Sequence, residues 1–417
     1  MIKKVIVGIS LLFTIGAFAQ EGTASPYSFY GIGDIKFKGT AENRLMGGLS
    51  IFPDSTHINL QNPAGYAGLK RTTLSLGGTY ATSNLKSNNG EGKPRRTTVD
   101  YLAIGLPVSS KVGVGFGLLP YSSVGYKLQS SRTDGDISKT NQSSGTGGVN
   151  RVFLGLGYQV TPSLSLGANL DYNFGEIETT SYEFWNVVEY GTRELNTSVI
   201  RGVSFNTGAM WNKKINKKLD IFASLIYTPE STLKFANERT IATVRRSNTG
   251  PVVIDPQSID VADTDLKLPS KIAFGVGVGE VRKWLIGAEY TFQNTSNFGN
   301  RFNDISNATF ENSSKISVGG YYIPNFNSFT SYMDRITYRA GFRHENTGLI
   351  VADKAINDTA LTLGLGLPIS GSFSNINLGI EYGKRGTKAQ NLIEENYLNF
   401  TLSLSLNDKW FVKRKYD

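Results

Sequence analysis

Few residues of this chain have the type and spacing for covalent chemistry. Ser83-Asn84-Leu85-Lys86 fits S-x-x-K, a spacing in which a lysine can activate a serine nucleophile. His57 and His344, the latter in Phe342-Arg343-His344-Glu345-Asn346, are the two imidazoles available as general bases. There is no cysteine, so thiolate and disulfide chemistry are excluded, and two histidines cannot build a multi-histidine metal site. The S-x-x-K match straddles a strand end and a loop, and four-residue matches of this kind are frequent by chance. His344 reads as a solvated residue near a strand end, and His57 as a hydrogen-bonding one. Gly113, Gly115 and Gly117, like Gly275, Gly277 and Gly279, alternate within strands instead of opening helices, so they do not cradle a phosphate. We expect no enzyme, no metal and no cofactor.

A second set carries charge. Asp171, Glu289, Arg339, Arg343 and Glu381 occupy the polar positions of segments with a period of two. In residues 163–175, for example, Leu164, Leu166, Ala168, Leu170, Tyr172 and Phe174 alternate with Ser165, Gly167, Asn169, Asp171 and Asn173. Such a strand buries one face in something apolar and wets the other. Acids and bases on a wetted inner face have two readings. They form a polar passage or a clamp for a ligand carboxylate, or they pair across the interior and hold its contents. Mutual pairing is the economical reading, because unpaired interior charges are costly.

These positions require about fourteen strands, at 71–82, 97–108, 111–127, 149–160, 163–176, 199–212, 218–233, 265–278, 281–293, 313–323, 335–345, 359–369, 374–385 and 397–406. Their connections alternate between tight turns, as at Ser109-Ser110 and Thr161-Pro162, and long polar loops, as at 84–96, 128–148 and 237–264. Only a medium turn at 324–334 departs from this. The fold expected is all-β, a transmembrane antiparallel barrel with short turns at one end and long loops at the other. Tyr101, Tyr121, Tyr158, Tyr227, Tyr290, Tyr322, Tyr382, Trp410 and Phe411 sit near strand ends and are expected to form aromatic girdles.

The start of the chain agrees with an outer-membrane location. Lys3 and Lys4 precede a short apolar run ending in Ala17-Phe18-Ala19, so residues 1–19 read as a secretory signal peptide of a Gram-negative bacterium. The formal charge of +9 is spread through loops and termini. No basic stripe with interleaved aromatics is present for nucleic acid, and lipid headgroups are the natural counterpart. Residues 71–417 make the barrel. Residues 20–70, rich in Tyr, Phe, Leu and Gly-containing turns, read as a plug of short helices and turns inside it. Asp54 is expected to cap a turn over 55–60, and Asn62 to cap one that begins at Pro63.

The plug motif, Asp54-Ser55-Thr56 followed by Asn62-Pro63-Ala64-Gly65, resembles the plug-to-first-strand junction of the FadL family of outer-membrane transporters. VGVGFGLLPYSSVGYKL, with Pro120, resembles that family's third strand. DIFASLIYTPESTLKF and LKLPSKIAFGVGVG, with Leu268-Pro269, resemble its middle strands. The likeness covers most of residues 20–417, although SPYSFYGIGD and NDKWFVKRKYD depart from the family pattern. It implies fourteen strands, an N-terminal hatch and a lateral opening in the wall. A proline inside a strand removes a ladder donor, and Gly115 and Gly117 leave room beside it, so Gly115, Gly117 and Pro120 are the expected lateral gate. The function implied is passive uptake of hydrophobic molecules, such as long-chain fatty acids or other lipids, with lateral release into the membrane. The alternative is a non-transporting scaffold subunit of a larger outer-membrane secretion or assembly complex, partnered by other outer-membrane proteins.

Overall fold

The computed structural model describes residues 22–248, 250–299 and 307–410. The expected signal peptide and Phe411 lie outside them. A short strand β1 (Asp34–Ile35) and a single helical turn α1 (Ala41–Arg44) precede the wall. The wall runs through β2 (Thr72–Ser87), β3 (Gly90–Gly92), β4 (Arg95–Pro107), β5 (Val112–Asp134), β6 (Ile137–Thr161), β7 (Leu164–Trp185) and β8 (Tyr190–Lys214). It continues with β9 (Asp220–Thr228), β10 (Ser231–Arg245), β11 (Val252–Ile259), β12 (Thr264–Leu268), β13 (Lys271–Glu280) and β14 (Trp284–Gln293). It ends with β15 (Ala308–Phe310), β16 (Ser313–Tyr322), β17 (Thr337–Val351), β18 (Lys354–Pro368), β19 (Asn375–Arg385) and β20 (Glu394–Asp408).

Neighbouring strands pair antiparallel around the whole circuit. The ladder from Thr72 opposite Asp408 to Lys86 opposite Glu394 joins β2 to β20 and closes a fourteen-strand barrel. Two wall positions are each built from two strands, β9 with β10 and β12 with β13. Their interruptions lie level with one another, since Thr228 pairs with Lys271 and Ser231 with Leu268. Pro229 and Pro269 sit in these breaks and lack the N–H that a continuous ladder would use. Short β3, β11 and β15 extend the loop end of the barrel.

Alternation sorts the side chains as expected. Leu154, Leu156, Phe274, Ile286, Leu361 and Leu363 are exposed on the outside, while Ser224, Asn377, Thr362 and Ser403 are buried within. Tyr158, Tyr227, Tyr290, Tyr322, Tyr382 and Trp410 face outward, but Tyr101 and Tyr121 are buried inside. Each shares the inward alternation of a buried neighbour, Tyr101 with Ala103 and Tyr121 with Leu119, and a bulge lies beside each. The β2–β4 register shifts between Gly77 and Gly78, and the β5–β6 register shifts between Pro120 and Ser122. One extra residue turns the following side chains to the other face. The expected long loops are also largely strand, because β5 and β6 stay paired out to Asp134 and Ile137.

The interior is occupied by residues 22–70. Ile32 packs with Val124, Ile200 and Phe235; Ile58, Leu60 and Tyr66 pack with Tyr101 and Phe153; Met46, Ile51 and Phe52 pack with Phe222 and Leu285.

Candidate functional site: the filled lumen and its seam

The Asn62 turn is built as its sequence suggests. The Asn62 side chain accepts from Ala64 N at 3.1 Å, capping the 3-10 turn Pro63–Gly68, and its own amide donates to Ala209 O at 3.2 Å. Pro63 opens the turn, and Ala64 and Gly65 are buried within it. The wall glycines explain the close fit. A Cβ on Gly113, Gly167 or Gly208 would overlap Tyr66 O, the Pro63 carbonyl carbon or Asn62 Oδ1 respectively. Asp54 differs from expectation. Its carboxylate accepts from Thr56 N at 2.8 Å in a local turn, and residues 55–60 form no helix, because the carboxylate satisfies the backbone two residues on.

His57 joins this region to the barrel mouth. Its Nδ1 lies 2.9 Å from Asp54 Oδ2, and its Nε2 lies 3.5 Å from Glu42 Oε1 and 3.3 Å from Asn375 Nδ2. Burial pulls the imidazole's proton affinity down, but Asp54 and Glu42 outweigh it, so His57 is raised above its ordinary value. On α1, Ala41 N donates to the Tyr101 hydroxyl at 2.9 Å. Glu42 accepts from Asn377 Nδ2 at 2.8 Å, and Asn377 in turn accepts from Arg339 Nη1 at 3.0 Å.

All five charges read from the alternation lie inside. Arg343 is paired with Glu381 at 2.7 Å and with Asp358 at 3.3 Å, and it donates to the Tyr397 hydroxyl at 2.8 Å. Tyr397 donates onward to Asp358 at 2.6 Å. Asp171 is bound by Arg151 at 2.9 Å. Glu289 accepts from Ser50 N and Ser50 Oγ at 3.0 and 2.6 Å. Arg151, Asp358 and Tyr397 were not singled out from sequence, although each occupies an inward position of the same alternation. Arg343, Glu381 and Asp171 are ion-paired, whereas Arg339 is held by Asn377 and Glu289 grips Ser50 of the residues inside. A cavity of about 400 Å³ remains among them, with Arg44, Asp100, Arg151, Lys271, Arg343 and Arg385 in its lining.

The ladder of the third wall strand with β4 is discontinuous, and the break lies away from two of the three residues named for a gate. The β4–β5 ladder runs from Pro107 opposite Gly113 to Leu102 opposite Leu118 and goes no further. Gly115 and Gly117 are therefore in the continuous part, and the room beside Gly115 is filled by the Tyr66 ring. Pro120 lies just past the last pair, in register with Asn150 of β6. Beyond it the edge of β5 turns to β1, with Ile35 opposite Ser122 and Asp34 opposite Ser123. Lys36 N donates to Tyr121 O at 3.0 Å, Ser122 Oγ to Ile32 O at 2.7 Å, and Gly125 N to Ser28 Oγ at 3.2 Å. Across the seam, Arg96 of β4 donates to Thr23 O at 3.1 Å. Residues 23–36 thus bridge both strand edges. Asp34 fastens this strap through Arg385 at 2.6 Å and Lys36 at 3.1 Å. Burial raises its carboxyl, but Lys36 and Arg385 prevail and hold it below the usual carboxylate range.

The architecture is similar to that of solved barrels. The Ralstonia pickettii toluene transporter TbuX is 15% identical with a TM-score of 0.58, over 89% of this chain and 99% of that one. The Pseudomonas putida toluene transporter TodX is 17% identical at 0.58, over 91% and 100%. A Pseudomonas aeruginosa FadL homologue is 13% identical at 0.58, over 91% and 99%. At such identity the likeness establishes a FadL-type fold. No curated protein matches the chain by sequence. The model of the BamG family, a FadL-like family, matches residues 1–417, and the chain belongs to the BamG family.

Proposed function

We propose that this protein is an outer-membrane barrel of FadL-type fold, kept shut by its own N-terminal residues and serving as a structural subunit of a larger outer-membrane secretion or assembly complex. The observation that carries this reading is the strap of residues 23–36, which is hydrogen-bonded to both edges where the β4–β5 ladder stops. Behind it, ion pairs interrupt a cavity lining that also carries apolar side chains such as Leu119, Phe153 and Ile226. An acyl chain passing there would have to separate buried charges, at roughly 3–5 kcal/mol for each broken pair. Apolar surface suited to partners lies elsewhere. The turn between β16 and β17 exposes Phe326, Phe329, Tyr332 and Met333, and Phe329 is 101% exposed. At the loop end, Trp185, Val187, Val188 and Tyr190 are exposed as well.

The unpaired β4–β5 seam favours a second reading, lateral passage of a hydrophobic small molecule such as a fatty acid. One experiment separates the two. Ile35 and Ser122 face each other in an antiparallel pair, whose Cα spacing of roughly 4.5–5.5 Å suits a disulfide. Ile35→Cys with Ser122→Cys in this cysteine-free chain should oxidise and lock the strap. On the structural reading, the locked protein complements a deletion strain as well as the wild type, and hydrophobic-probe uptake is unchanged. Loss of uptake on oxidation, restored by reductant, would establish passage instead.

A further inference from the structure

We propose that the lumen contains a binding site for a multiply charged oxyanion of the phosphate class, formed where Lys38, Lys271 and Lys315 converge on the internal cavity. The pairing of the interior charges leads to it. Most bases in this lumen have acids. Arg44 pairs with Asp100, Arg151 with Asp171, Arg343 with Glu381 and Asp358, and Arg385 with Asp34. Among the described residues, the ammonium groups of Lys38, Lys271 and Lys315 have neither a hydrogen-bond acceptor nor a carboxylate partner. All three line the same cavity. Lys271 and Lys315 come from β13 and β16, on either side of β14. Lys315 is in register with Thr291 of β14, which is in turn opposite Ala273 of β13. Lys38 arrives from the N-terminal residues, with its Nζ 3.7 Å above the Tyr121 ring, on which the Arg151 guanidinium also lies at 4.3 Å.

The acids in this part of the cavity are already engaged. Asp171 is held by Arg151, and Glu289 accepts two hydrogen bonds from Ser50. Four bases thus face two acids that are already bound, and the excess is positive. Burial, followed by repulsion from Arg151 and Lys271, depresses the proton affinity of Lys38 well below that of an ordinary lysine, with Asp171 opposing the shift. A monovalent carboxylate would leave half of this excess standing. A phosphate or diphosphate supplies two or more charges and acceptors for several ammonium donors. The cavity, at about 400 Å³, is ample for it, and Gln293, Thr228, Asn206 and Asn169 add neutral polar groups to its lining.

The same chemistry can arrive as free phosphate or as a phosphorylated lipid headgroup entering at the β4–β5 seam. Two arms distinguish these sources. Delipidated protein in nonionic detergent is titrated with pyrophosphate by calorimetry. Protein in phosphatidylglycerol or phosphatidylcholine nanodiscs is examined by native mass spectrometry for retained lipid. We expect saturable binding near one per barrel in at least one arm. Lys271→Gln with Lys315→Gln, or Lys38→Gln alone, should weaken it about tenfold or more, as loss of charge-assisted bonds implies. The corresponding Lys→Arg variants should retain it, which separates a charge effect from misfolding. No saturable binding in either arm would overturn the site, as would binding indifferent to the lysines. Competition by dodecanoate as effective as that by pyrophosphate would overturn the multiply charged class.

Discussion

Replacing Asn62 by alanine tests whether residues 22–70 are a unit docked into an independently stable wall. The side chain is fully buried and makes two distinct contacts. It caps Ala64 N at 3.1 Å, and it satisfies Ala209 O on β8 at 3.2 Å. Loss of a cap costs ~0.5–2 kcal/mol, and a buried carbonyl left without its donor costs ~1–3 kcal/mol. Together they weaken docking by about 1.5–5 kcal/mol, which raises local opening roughly 10- to 4000-fold. Hydrogen exchange followed by mass spectrometry reads this directly. Amides of residues 41–70 should exchange faster by that factor, while those of β17 to β20 keep their protection. Gly208→Ala approaches the same contact from the wall, since its Cβ would overlap Asn62 Oδ1, and should loosen the same peptides. If wall and interior lose protection together, or neither does, the two are not separable units and the reasoning fails.

Glu381→Ala removes the 2.7 Å partner of Arg343. It should destabilise the protein by ~3–5 kcal/mol, lowering by several degrees the temperature at which heat-modifiable gel migration changes; Glu381→Gln should be milder. His57 is raised above its ordinary 6.5 by Asp54 and Glu42 against the effect of burial. Its contribution is therefore fully present below pH 6.5 and lost as pH rises through the raised value. Exchange of residues 54–60 should accelerate over that window in the wild type, and His57→Gln should abolish the acceleration. On intact cells, a tag inserted at Asn88 or Gly135 should be accessible, and one at Ser110 hidden until the outer membrane is breached; the reverse pattern would invert the orientation.

Where strands have an apolar outer face and a polar face toward the lumen, alternation gave their positions and faces, including all five interior charges. It failed where that environment ends. Residues 137–148, ISKTNQSSGTGG, have no apolar face, yet they remain paired with β5. Outside the wall's apolar band both faces meet water, and backbone pairing alone holds the strand. Tyr101 and Tyr121 were misassigned because they were read by nearness to strand ends, although each shares the inward alternation of a buried neighbour, Ala103 and Leu119. The strap strand β1 is two residues long and is created by the edge it meets, so no periodicity could announce it. Lys271 and Lys315 share the inward alternation of Gly275 and Gly319 on their own strands but were not among the charges read from it. What sequence could not supply was the absence of partners for them.

The closing ladder has a kinetic consequence. Each hairpin from β5 to β8 joins near neighbours in the chain, whereas β2 and β20 join Thr72 to Asp408. Local pairings form at little entropic cost, and distant ones come late. The N-terminal residues touch both halves of the circuit, with Asn62 against Ala209 and Gly47 N against Thr362 Oγ1. Made first and held by both arcs, they serve as the form around which the sheet is wrapped. Closure then traps them, so releasing them from the finished barrel means either reopening the ladder that formed last or extracting a folded core through a mouth it already fills.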